Sequence, residues 1–166
     1  PHLIKATSFS IISRLTFSDN LEFFFKYQIG HMYMRYFLWN FSGRESDIQN
    51  AQWLGITNIF DKVPYQIKIN KARNNYLMIP LILGLLGVFF QFYRDKKNFY
   101  VVMLLFILTG VALVVYLNSP PIEPRERDYI YAGSYYTFSI WIGFGSLFIF
   151  TFLKRLLKKE NIARYV

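Results

Sequence analysis

An all-α membrane protein is the fold class this sequence predicts, with three transmembrane helices plus an amino-terminal aromatic interfacial helix and loop region. Three observations carry that expectation. Three long runs, Asn74 to Tyr93, Asn98 to Ser119 and Tyr129 to Leu153, hold no charged residue. Aromatic residues make up 20% of the chain, with 18 Phe and 13 Tyr. The net charge of +9 lies in short clusters beside the apolar runs, where cationic side chains meet anionic headgroups. A nucleic-acid partner fits poorly, because the basic residues form no continuous stripe. The absence of Cys excludes disulfides and thiolate metal sites. The chain starts at Pro1 without Met and shows no n-region/h-region signal-peptide pattern, and it reads as a piece of a longer protein.

The amino-terminal region, residues 1–74, is expected on the extracytoplasmic side. Phe23 to Phe41 holds nine aromatics in 19 residues, interrupted by Lys26, His31, Arg35 and Asn40. A central Lys or Arg costs roughly 2.5–3.5 kcal/mol in an inserted helix, so this segment reads as interfacial, or as buried against other helices. Asp19 or Ser18 is placed to cap its start, and Ser42-Gly43 to end it. Residues 44–75 are polar and aperiodic, and read as an exposed loop with short helical pieces.

The membrane region spans 75–154, with helices over about 75–93, 98–118 and 134–153. About 20 residues at 1.5 Å each cover the roughly 30 Å hydrocarbon core, and a backbone in lipid must satisfy its own hydrogen bonds. Three buried helices of a soluble protein would need a polar face at helical spacing, which these runs lack. The link Arg94-Asp95-Lys96-Lys97 is short, so the first two helices form a hairpin. The link and the chain from Lys154 onward together carry eight Lys/Arg, against six in residues 62–73 and the second loop. That bias places link and tail (155–166) in the cytoplasm. Gly84 with Gly87, and Gly143 with Gly145, are small residues suited to close helix packing.

The second loop, Pro120 to Tyr129, holds three prolines and five charges in ten residues. Its Arg125, Glu126, Arg127 and Asp128 fall on the same side as Arg35, Arg44, Glu45 and Asp47. An arginine fork suits phosphate, and a carboxylate can take a proton from a hydroxyl or hold a metal. The other reading is a salt-bridged joint that fixes the loop within a non-enzymatic scaffold or transport subunit. His31 has no partner at ligand spacing and reads as a packed histidine. Trp39, Trp53 and Trp141 suit sugar stacking or interfacial anchoring. Lys71 and Arg73 read as headgroup anchors. No phosphate loop, nucleophile elbow or zinc signature is present.

Longer motifs carry a resemblance. Met34 to Arg44 (MRYFLWNFSGR), Pro124 to Tyr129 (PRERDY), Gly133 to Tyr136, Ile140 to Gly143, and Asn75 through Pro80 to Gly87 resemble, in order, a bacterial multispanning membrane family. That family is similar to the glycosyltransferase C superfamily and to vertebrate transmembrane protein O-mannosyltransferases. The resemblance implies transfer of a sugar, such as mannose, from a polyprenyl-phosphate donor to protein on the non-cytoplasmic face of the bacterial inner membrane. It implies membrane lipids, a protein acceptor and further upstream helices as partners, with the main catalytic acid upstream. It fixes no metal. Arg35, Arg44, Arg125, Arg127, Trp39 and Tyr129 become substrate-binding candidates, and Asp47, Glu126 and Asp128 catalytic ones. The family pattern continues Gln-Asn-Asp after its Gly-Arg pair; here it is Glu45-Ser46-Asp47, so Asp47 matches and Glu45 departs.

Overall fold

The computed structural model describes residues 16–59, 63–120 and 127–159. It is mainly helical, with one two-stranded sheet among the described residues.

A helical rod opens the described chain. It begins as α1 (Phe17–Phe23), continues as a π-helical segment (Phe24–Met34) and ends as α2 (Arg35–Phe41). Thr16 caps it, where Ser18 or Asp19 was expected. The Asp19 amide donates to Thr16 Oγ1 at 3.4 Å, and Asp19 Oδ2 accepts from the Thr16 amide at 2.8 Å, a reciprocal capping box. The first turns bury nothing. The second half is buried against other helices, the second of the two placements expected: Tyr33, Tyr36, Phe37, Trp39 and Phe41 are all in the core.

The rod stops where expected, at Ser42. Gly43 follows at φ 152°, and a Cβ there would stand 2.7 Å from the Asn74 carbonyl oxygen. That approach lets β1 (Gly43–Arg44) pair antiparallel with β2 (Asn74–Asn75), Gly43 opposite Asn75. The Leu54 amide donates to the Gly43 carbonyl at 2.8 Å, folding the polar loop back onto the strand. A short helix, α3 (Tyr65–Lys68), interrupts that loop.

The apolar helices follow. The first, α4 (Ile79–Arg94), begins four residues later than the expected start at 75, because Asn74 and Asn75 are used in the sheet. Leu77 and Met78 then turn the chain at positive φ, and Pro80 enters the first turn, where its missing N–H costs nothing. The resulting 16 residues make about 24 Å of helix, short of the roughly 30 Å core. The second run forms α5 (Lys96–Thr109) and α6 (Val111–Leu117), broken at Gly110, where the Tyr33 hydroxyl fills the space a Cβ would need. The third forms α7 (Ala132–Lys159), preceded by a 3-10 turn (Asp128–Tyr131); it starts two residues before the expected Ser134.

Among the described residues, two helices are long and apolar enough to cross a membrane: Lys96–Leu117, with mean hydropathy 2.6, and Asp128–Leu156, with 1.6. Only 11% and 22% of their most apolar windows are buried, so most of that surface is open. Three spans were expected; α4 falls short by length.

The core has two aromatic clusters. Phe37, Phe41, Phe99, Phe138 and Trp141 fill the space among α2, α4, α5 and α7. Tyr33, Tyr36, Trp39, Val114 and Tyr131 join the rod to α6 and the 3-10 turn. Trp141, expected as an anchor or sugar platform, is fully buried, and its Nε1 donates to Gln91 Oε1 at 2.7 Å.

The one-residue link at Asp95 gives a first prediction. Its Oδ1 accepts from the Asn98 amide at 3.2 Å, capping α5. The Asn98 backbone bond, then its side chain, hold the Asp95 carboxyl below the usual carboxylate range. A depressed folded pKa contributes stability that is present above the unfolded value of about 3.9 and is lost as pH falls through the folded value. Asp95→Ala is expected to lower the thermal midpoint at pH 7. The gap to the parent should close as pH falls from the unfolded value of about 3.9 through the lower folded value, measured by melting in detergent across that range.

Candidate functional site

Trp39 is the centre of the charged region. Its ring carries the Arg44 guanidinium at 4.1 Å and the Arg35 guanidinium at 4.7 Å, with Tyr36 at 5.0 Å beside it. Trp39 is buried, and its Nε1 has no hydrogen-bond partner. Protein groups cover its ring, and it serves as a floor under two arginines.

Those arginines have different positions. Arg35 is 3% exposed. Its Nε donates to the His31 carbonyl at 2.8 Å and its Nη1 to the Ala51 carbonyl at 3.0 Å. These two bonds tie the rod to the polar loop. Arg44 is half-buried. Its Nε donates to the Ser46 carbonyl at 2.7 Å, while its Nη atoms make no hydrogen bond among the described residues. The guanidinium is thus fixed by its stem and its aromatic floor, with its fork left for a ligand.

Asp47 is exposed and accepts from Asn70 Nδ2 at 2.7 Å. That bond, with backbone and Arg44 contributions, holds its carboxyl below the usual range. A carboxylate so stabilised is a weak base at neutral pH, suited to orienting a hydroxyl more than to deprotonating it. His31 Nε2 lies 3.2 Å from Asn50 Oδ1, and its ring stacks on Tyr27, the packed placement expected. Among the described residues, no group of three His, Cys, Asp or Glu could hold a metal.

Of the second constellation, Arg125 and Glu126 lie outside the described residues. Arg127 is exposed, Asp128 half-buried, and Tyr129 exposed. The turn carrying them is joined to the first constellation through aromatic contacts. The Tyr131 ring lies 5.2 Å from Tyr33 and 6.3 Å from Tyr36, and Tyr36 lies against Trp39. Trp39, which lies under Arg44, and Tyr131, three residues after Asp128, therefore belong to one aromatic cluster. Arg127 and Asp128 make no ion pair among the described residues, where the ion pair present is Lys26 with Glu22.

One feature had no sequence signal. Glu45, Gln52, Trp53, Asn58 and Arg73 line a cavity of about 160 Å³ behind β1. Arg73 Nη1 is buried with no partner among the described residues, so the expected headgroup anchor is turned inward. The bridge between Trp53 and Arg44 creates this cavity, and no local spacing encodes it.

No family model, curated protein or solved structure matches this chain.

Proposed function

We propose that this chain is part of an integral membrane glycosyltransferase that moves a sugar, mannose by family likeness, from a polyprenyl-phosphate donor to protein. The reading takes Lys96–Leu117 and Asp128–Leu156 as spans, with α4 as a third, shorter one. Charge bias puts the Arg44 and Arg127 end on the non-cytoplasmic face of the bacterial inner membrane and the carboxy-terminal tail in the cytoplasm.

The observation that supports it most is the unengaged fork of Arg44, held on Trp39 and flanked by an ionised Asp47. In the proposed reaction an acceptor hydroxyl attacks the anomeric carbon and gives its proton to the upstream carboxylate that the family likeness implies, while the bond from that carbon to the phosphate oxygen breaks and the polyprenyl phosphate leaves with the bonding electrons. Arg44 and Arg127, with Arg125, neutralise the leaving phosphate, where preorganised cations lower the barrier most. Asp47 and Asp128, with Glu126, orient the acceptor or the guanidiniums. Tyr129 faces the lipid headgroups.

The test is glycosylation of an extracytoplasmic acceptor by the full-length protein. Arg44→Ala is expected to lower kcat/KM about 100-fold or more, the loss of two charge-assisted hydrogen bonds at about 1.5–3 kcal/mol each. Unchanged activity at normal expression would sink the donor-phosphate role.

A further inference from the structure

At the link end of α4 and α7, far in sequence from the charged loops, the helices leave an apolar groove between them. Leu86, Phe89, Phe90, Tyr93 and Phe148 line it, with Arg94 at its mouth, and its volume is about 430 Å³. An adjoining hollow of about 200 Å³ shares Phe90 and Phe148 and is bordered by both Arg94 and Arg155. Two guanidiniums from different helices thus face one space whose lining holds no carboxylate.

Neither arginine is ion-paired among the described residues. Asp95 adjoins Arg94, but its carboxylate accepts from the Asn98 amide and from Asn98 Nδ2. Arg94 rests with its guanidinium carbon 5.6 Å from the Phe90 ring centroid. Like charges that converge this way repel unless an anion sits between them. Arginine forks match phosphate oxygens in pairs, and the apolar trough behind them suits hydrocarbon.

We propose that this groove binds one anionic glycerophospholipid. Its headgroup phosphate sits between Arg94 and Arg155, and an acyl chain lies along Leu86, Phe89, Phe90 and Phe148. The site rests on the reading of these helices as membrane spans, and it is separate from the donor site at Arg44.

The full-length protein is purified in detergent and titrated with phosphatidylglycerol, phosphatidylcholine or inorganic phosphate. Thermal midpoint and lipid retained in native mass spectrometry are the two readouts. Phosphatidylglycerol is expected to raise the midpoint and stay bound. Arg94→Gln with Arg155→Gln should weaken its apparent affinity about thirty-fold, roughly five-fold per arginine. Lys154→Gln should leave it unchanged, because Lys154 is exposed and lines neither hollow. If the double variant does not fold, Arg155→Gln alone, at an exposed position, should show the five-fold loss.

An equal response to phosphatidylcholine, an equal loss in Lys154→Gln, or no response at all overturns the site. An equal shift with inorganic phosphate overturns it in favour of a free-anion site. Recovery of the protein in the soluble fraction without detergent would overturn the membrane reading itself. Membrane recovery without a phosphatidylglycerol preference would overturn the lipid site alone.

Discussion

Gly87→Ala is expected to drive α4 and α7 apart and to lower stability by about 3 kcal/mol or more, at the upper end of overpacking costs. A Cβ at Gly87 would collide with the Trp141 carbonyl oxygen and stand 2.8 Å from the Gly145 amide nitrogen. The reciprocal Cβ at Gly145 would collide with the Leu83 carbonyl oxygen. Both obstacles are backbone, so no rotamer change relieves them. Alanine in a helix interior otherwise gains about 1 kcal/mol over glycine, so the clash must reverse the usual sign. Gly143 is the control: a Cβ there meets nothing within 4 Å, and Gly143→Ala should be neutral or slightly stabilising. Melting in detergent checks both. At about 2–4 °C per kcal/mol, Gly87→Ala should lose about 6–12 °C. Equal midpoints for the two variants would refute this account of the helix pair.

That contrast shows what the sequence could and could not convey about the fold. Apolar length alone predicted helices over 98–118 and 134–153, and they form as Lys96–Leu117 and Ala132–Lys159. Small-residue spacing marked four glycines for packing, but which of them face inward depends on the rotation of each helix. Gly84, Gly87 and Gly145 are at the contact and Gly143 is not. The break at Gly110 comes from Tyr33, which is 77 positions away and gives no local signal. The late start of α4 likewise follows from a sheet partner at Gly43–Arg44, a pairing that two-residue strands do not announce.

The candidate site was legible as a set of residue types and not as a set of roles. Arg35 and Arg44 share a floor at Trp39 and look equivalent in sequence. Arg35 comes off the helical rod, where its side chain meets the carbonyls of His31 and Ala51. Arg44 comes off a strand whose neighbours lift its fork clear. Burial, which decides between these outcomes, depends on how the loop after Gly43 folds back. Asp47 was a candidate acid or base by charge alone; its bond from Asn70, 23 positions on, makes it a stable anion.

Arg35→Met is expected to cost about 3–5 kcal/mol, while Arg44→Ala, which loses one bond and one ring contact, costs about 2 kcal/mol. The difference follows from burial. Removing Arg35 leaves two carbonyls without these donors, at about 1–3 kcal/mol each. It also removes a cation from the Tyr36 and Trp39 rings, at about 0.5–2 kcal/mol. Arg35→Lys should recover little, because one ammonium lacks the planar fork that reaches both carbonyls. Arg44 keeps its fork unengaged, so its loss removes one bond to Ser46 and a half-exposed ring contact. Melting in detergent and acceptor glycosylation, measured on the same preparations, separate the two arginines. Arg35→Met should lose the more stability of the two, and Arg44→Ala should lose activity far out of proportion to its smaller drop in midpoint. If Arg35→Met instead melts like the parent and loses only activity, its guanidinium faces a ligand and the clamp between rod and loop is wrong.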